Sequence, residues 1–340
     1  MPIDIRFPIS RRSAILAAGT TLCLPAIGRA AGAKFVYKCA TGQAPTHPLN
    51  IRLQQGFDRI REKTGGALEF RLFPANQLGT ETAVLSQTRL GSVEMTLLSA
   101  SIYATFVPVA GIANTAYVFK DANDVWKAMD GALGQYTKAQ TTKAGLIPAG
   151  NIWNNGFRQI TSSTRDIRTP QDLKGFKIRV PPAPMLTSFF ADMGAAPTPI
   201  NFSEVYTALQ TGVVDGQENG LTLVLTTRLY EVQKYCIMTG HSWDGYWPLA
   251  NPAAWRRLPE KMQQIVVDEL NVAADAERAD VTQGDVTARA DLTKKGLIFQ
   301  DVDKAKFQQT LLATSYYRDW RAKYGEAAWS ALELATGKLA

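Results

Sequence analysis

The 340-residue chain is 46% hydrophobic and 20% charged, which is ordinary for a globular protein and enough volume for two α/β lobes. Its net charge of +7 falls to +4 once residues 1–33 are set aside, because these carry Arg6, Arg11, Arg12 and Arg29 against Asp4 alone. No Lys/Arg cluster interleaved with aromatics remains to mark a nucleic-acid surface, and beyond the first thirty-odd residues no apolar run of eighteen or more argues for a membrane span.

Residues 1–33 read as an export leader and stand outside the fold. Ser10-Arg11-Arg12 precedes Ala14-Ile15-Leu16-Ala17-Ala18 and a mild apolar core through Ile27, followed by the small residues Ala30-Ala31-Gly32-Ala33. Paired arginines before a mild core fit the twin-arginine route. A general secretory leader stays open, as does cleavage after Ala31 or Ala33. Cys23 follows Leu22 and lacks the small residue a lipoprotein anchor requires.

From Lys34 strand and helix patterns alternate, the mark of α/β layering. Phe35–Ala40 reads as a strand, Pro48–Thr64 as a helix stopped by Gly65-Gly66, and Leu68–Leu72 as a second strand closed by Pro74. Thr80 caps a helix to Leu90, and Val93–Leu98 is a third strand. Asp121–Lys143 is expected to be one helix and Leu146–Asn151 a strand leading to Trp153. Gly156 breaks the strand pattern where a first crossing between lobes is expected.

Thr169-Pro170 starts a short helix. Phe176, Ile178 and Val180 alternate with Lys177 and Arg179 until Pro181-Pro182 ends the strand, which puts Arg179 near its carboxyl end. Ligands bind at that edge of open α/β sheets, and a guanidinium there suits a carboxylate or phosphate. Met185–Met193 and Ser203–Thr211 are helices. Val232–Thr239 is a strand, and His241–Trp247 lies at a second crossing with three aromatics in five residues. Pro259–Lys295 has a helical pattern over some 35 residues, either one long helix or two broken near Gly284. Leu297–Val302 is an edge strand, and Lys304–Leu339 supplies closing helices. Cys39 and Cys236, each in a strand-like run, read as buried free thiols.

Three polar stretches stand out: Asn155-Gly156-Phe157-Arg158-Gln159, Lys177-Ile178-Arg179-Val180-Pro181 and Val214-Asp215-Gly216-Gln217-Glu218-Asn219. With Gly194–Ile200 and Phe202–Gly212 between them, they resemble the extracytoplasmic solute receptors of tripartite ATP-independent periplasmic (TRAP) transporters, over essentially the whole chain after the leader. The resemblance implies a periplasmic-binding-protein-like α/β fold of two lobes joined by hinge strands and a lobe-spanning helix. Lobe I would take 34–155 plus 245–283, lobe II 156–244 plus 284–330, with a C-terminal tail at 331–340. It implies that Arg179 pairs with a ligand carboxylate, and that Arg158 and Asn219 also touch ligand. It further implies a membrane permease partner and a periplasmic location for what is expected to be a monomer. Trp153, Phe202 and Trp243 are expected to give the pocket an apolar or aromatic wall, favouring a monocarboxylate with an apolar body over a C4-dicarboxylate or sugar acid. His47 is either a ligand contact or a helix-start residue, and Ser99-Ala100-Ser101 offers hydroxyls to the pocket.

An enzyme is the competing class. Gly240-His241-Ser242-Trp243-Asp244-Gly245 misses the nucleophile-elbow pattern at Asp244. There is no H-E-x-x-H, C-x-x-C, P-loop or G-x-G-x-x-G, and only two histidines, so no metal, cofactor or catalytic residue is expected. Asp215 and Glu218 are read as holding a turn through backbone N–H groups, leaving Asn219 to face the ligand.

Overall fold

The computed structural model describes residues 33–339, so the leader reading of residues 1–33 lies outside the described residues except for Ala33. The first half of the architecture comprises β1 (Phe35–Ala40), α1 (Pro48–Lys63), β2 (Leu68–Phe73), α2 (Glu81–Leu90) and β3 (Met95–Ser99). β1 runs parallel to both β2 and β3. α1 forms because Leu49, Leu53, Phe57 and Ile60 recur at helical spacing and bury one face, while Gly65 and Gly66 end it with positive φ.

A short α3 (Ala100–Tyr103) and a 3-10 turn at Pro108–Asn114 follow directly. The segment expected as one helix is two, α4 (Ala122–Met129) and α5 (Ala132–Lys143). They break at Gly131, where a Cβ would stand 2.4 Å from the Lys127 carbonyl oxygen, an approach only glycine permits.

β4 (Ile147–Pro148) is brief, and β5 (Trp153–Ser162) opens the second half with β6 (Lys177–Val180), α6 (Pro184–Asp192), β7 (Ala196–Pro199), α7 (Val205–Gln210), β8 (Gly216–Asn219) and α8 (Leu221–Thr226). β9 (Tyr235–Ala250) is one strand of 16 residues, twice the length expected, and it carries His241–Trp247 in its middle. The strand order β2-β1-β3-β9-β5-β8-β6-β7 makes β9 and β5 the link between two half-sheets. β9 pairs antiparallel with β3 and with β5, and β5 antiparallel with β8. The D-G-Q-E-N stretch is thus the central strand of the second half-sheet, not a turn.

After α9 (Pro252–Arg257), α10 (Glu260–Lys294) is a single unbroken helix, about 52 Å long at its standard rise. Its Leu270 packs in the core of the first half with Leu53 and Phe57, and its Leu292 in the core of the second with Leu209 and Val224. β10 (Ile298–Gln300), α11 (Lys304–Leu312), α12 (Tyr316–Tyr324) and α13 (Glu326–Thr336) complete the chain. The expected boundary at residue 330 falls inside α13, whose Trp329 and Leu332 are buried with Leu133 of α5. Cys39 and Cys236 are free and buried, and burial pushes both thiols up.

At the crossing, β5 and β9 shift register between Asn154 and Gly156, with Gly156 at φ 83°. A Cβ there would lie 2.6 Å from Asp285 Oδ2 on α10. Gly156→Ala is expected to destabilise the protein by about 1–3 kcal/mol, from left-handed strain plus that contact, read as a lower urea midpoint at unchanged m-value.

Candidate functional site

β6 ends at Pro181, so Arg179 lies at the carboxyl edge as its alternation predicts, but it is turned inward and 1% exposed. Its Nε and Nη2 both donate to the Ile200 carbonyl, at 2.8 and 2.6 Å. Among the described residues neither Nη1 nor any carboxylate completes its pairing. Phe202 faces the guanidinium, its ring centroid 5.8 Å away. Burial lowers Arg179 to about 10, partly offset by Glu218, so it is a desolvated cation at neutral pH.

Arg158, projecting from β5, has a different environment. Its Nε and Nη2 grip the Glu218 carboxylate, Nη2 also donates to the Glu218 carbonyl at 2.8 Å, and Nη1 donates to Asp244 at 3.1 Å. Burial alone would lower its pKa, yet Glu218 and then Asp244 hold it above its ordinary value. Burial likewise opposes the ionised form of Glu218, and Arg158 and His241 outweigh it and keep that carboxyl low. The expectation that Glu218 bonds backbone N–H groups is corrected: its partners are Arg158 and the His241 ring at 3.1 Å. Asp244 gathers Ser99, Ser101, Asn114, Asn155 and Arg158 around one buried carboxylate. Ser242, the hydroxyl of the near-miss elbow, sits mid-strand and donates to the Asn114 carbonyl, without the strand-to-helix turn an elbow needs.

One cavity brings Arg158, Arg179, Asn219 and Phe202 together with Gln43, Glu81, Ser99, Ser101, Asn155 and Tyr246; Ile102, Pro181 and Leu223 add apolar wall. Asn219 donates to Gln217 at 2.6 Å within β8. Three sequence candidates are elsewhere. His47 caps α1, its Nδ1 accepting from the Leu49 amide at 3.1 Å, and burial lowers it to about 4. Trp153 is fully buried in the first-half core with Leu53 and Leu270. Trp243 packs edge-on against Phe119 and Trp126 and donates to Asn154, lining a separate groove at the crossing. Alternation along β9 explains Trp243, which points opposite to its neighbour Asp244, whereas Trp153 pairs across the strands with the cavity-lining Tyr246 and packs beside it into the first-half core.

The model for bacterial extracellular solute-binding protein, family 7, matches residues 39–321. The chain belongs to this family of TRAP periplasmic solute-binding proteins. The receptor is 31% identical to the 2,3-diketo-L-gulonate-binding periplasmic protein of Escherichia coli over 78% of this chain and 81% of that one. Among solved structures it is similar to a TRAP periplasmic solute-binding protein from Sulfurospirillum deleyianum with bound succinate, at 26% identity and TM-score 0.84, covering 90% of this chain and 99% of that one. A Polaromonas TRAP protein bound to D-erythronate gives TM-score 0.85 at 26% identity, with the same coverages.

Sequence reading missed Glu81 in this receptor, since an acid after the capping Thr80 is unremarkable at a helix start. Glu81 is 6% exposed, and its carboxylate has no hydrogen-bond partner among the described residues. Burial raises it to about 7, with Arg179 opposing and Asp244 adding to the rise. A carboxyl raised on folding favours the protonated native state, so its contribution is most favourable below about pH 4.5, declines as pH climbs, and levels off above about 7. Glu81→Gln is therefore expected to stabilise the ligand-free receptor by up to about 3 kcal/mol at pH 8 and to lose that advantage near pH 4, read from urea midpoints across the range.

Proposed function

We propose that the receptor captures a small hydroxylated monocarboxylic acid in the periplasm and delivers it to a TRAP membrane permease, acting as a monomer after residues 1–33 are removed as a twin-arginine leader. The observation that carries this reading is the pairing state of the cavity. Arg179 is a buried cation without a carboxylate partner among the described residues, and an anion with two oxygens matches its fork. Arg158 is already countered by Glu218 and Asp244. One guanidinium without a bonded carboxylate calls for one ligand carboxylate, with Arg158 and Asn219 orienting it.

The rest of the cavity asks for hydrogen-bond donors. Gln43 Oε1 and Asn155 Oδ1 are buried acceptors without a partner among the described residues, and Glu81 lies in the same lining. Buried acceptors left unmatched cost roughly 1–3 kcal/mol each, so ligand hydroxyls supplying those bonds gain more than an apolar surface would. The aromatic body inferred from Trp153 and Trp243 loses its support inside this cavity, where Phe202 is the remaining aromatic of that group. A relative named for binding 2,3-diketo-L-gulonate and a structure holding D-erythronate agree with an acid bearing oxygens along its body, while the structure holding succinate carries a second carboxylate in place of hydroxyls.

Capture would proceed as a population shift. Lobes set at 34–155 plus 245–283 and 156–244 plus 284–330 would close around an acid that touches both, the β5–β9 crossing acting as hinge. Isothermal titration with a panel of hydroxy, keto, dicarboxylic and sugar acids tests the class. For whichever acid binds, Arg179→Ala is expected to lose about thirty-fold to several thousand-fold in affinity, and Arg179→Lys to recover only part of it because the fork is lost. Unchanged affinity in Arg179→Ala, or binding confined to neutral compounds, would overturn the reading.

A further inference from the structure

A second cavity lies against the first, and Ser101 stands in the wall of both. Its volume is about 180 Å³, against about 20 Å³ for the cavity at Arg179. The lining comes from both halves of the molecule: Ala104 follows α3, Met185 and Leu186 belong to α6, and Trp320 and Tyr324 come from α12. These side chains are apolar over most of their surface, and Lys323, its ammonium 4.3 Å from the Trp320 ring centroid, is the one charged residue of the lining. At Gly111 the lining gains two oxygens, since a Cβ there would stand 3.5 Å from Tyr324 Oη and 3.7 Å from Asn114 Oδ1.

Asn114 is the second and independent sign. It is 1% exposed and its amide nitrogen is committed, donating to the Trp243 carbonyl at 2.9 Å and to Asp244 at 3.0 Å. Its Oδ1 has no partner among the described residues. A buried carbonyl oxygen facing an apolar chamber is matched by an apolar group that carries one hydrogen-bond donor. The amide that presents this oxygen also holds Asp244, which holds Arg158, so the chamber is tied to the anion site through a single buried carboxylate.

Resting on the carboxylate reading of the first cavity, we propose that this chamber receives the distal end of the same ligand. The preferred substrate is then a hydroxy acid whose head occupies the Arg179 cavity and whose substituent, an aromatic or branched apolar group with one donor, passes Ser101 and ends beside Asn114. An apolar body thus has a place in the receptor, though not among the tryptophans of β5 and β9.

Titration calorimetry with two acids sharing a 2-hydroxycarboxylate head, glycerate and 3-(4-hydroxyphenyl)lactate, tests this, with erythronate as a chamber-independent control. The phenolic acid is expected to bind at least about tenfold tighter than glycerate, the scale set by burying an aromatic ring. Ala104→Phe, which fills the chamber, is expected to abolish that difference while leaving glycerate within about threefold. Should Ala104→Phe fail to fold, Thr105→Trp, from an exposed position in the same lining, gives the same readout. Equal affinities in the unmodified receptor, equal loss for both acids in the variants, or slower association at unchanged affinity would each overturn the chamber. If erythronate binds and the phenolic acid does not, the chamber fails and the proposed function stands. If no carboxylate binds, the proposed function falls with it.

Discussion

The Arg158–Glu218–Asp244 cluster is the interaction on which the site depends. Three charged groups are almost wholly withdrawn from water, and their mutual attraction does little more than offset the cost of that withdrawal. The cluster's value is geometric. Glu218 comes from β8, Arg158 from β5 and Asp244 from β9, so one guanidinium fixes the registry of three neighbouring strands where the two half-sheets meet. It also settles the division of labour between the arginines. With Arg158 paired to protein carboxylates, Arg179 is the guanidinium of the cavity that has no carboxylate partner among the described residues, as the proposed function requires.

Desolvation then acts on the whole cavity in the same direction. It lowers Arg179, raises Glu81, and leaves Gln43 Oε1 and Asn155 Oδ1 without partners. Each departure is a cost to the folded protein alone, and the proposed hydroxylated carboxylate would relieve all of them.

Much of this was legible in the sequence wherever local pattern and global position coincide. The alternation Phe176–Val180 ended by Pro181 located Arg179 at a strand edge, and the 35-residue periodicity gave α10. It failed where a side chain's direction depends on a distant partner. Gln217-Glu218-Asn219 lacks apolar alternation and reads as a turn, yet it forms a buried strand, because Glu218 is paid for by Arg158 sixty residues earlier. Trp243 sits next to Asp244 in sequence but on the opposite face of β9, and Trp153, paired across the strands with Tyr246, is drawn into the first-half core before it reaches the cavity. Glu81 carries no local signal at all. His47 was legible to the extent that a helix-start residue was one of its two readings, and the Leu49 amide selects it.

The same logic runs along α10, the element that joins the two cores. Its buried Glu277 accepts the Asn154 amide at 2.9 Å, and its Asp285 accepts the Thr222 amide and hydroxyl at 3.0 and 2.7 Å. Those contacts flank the register shift at Gly156, where β5 leaves its pairing with β9 to be completed from elsewhere. Burial raises both carboxyls, so each tends toward its neutral form unless the backbone N–H it receives is kept in place. The helix therefore does not merely lie across the crossing. It supplies acceptors on either side of Gly156, in the segment of β5 that brings Asn155, just before the glycine, and Arg158, two residues after it, to the cavity.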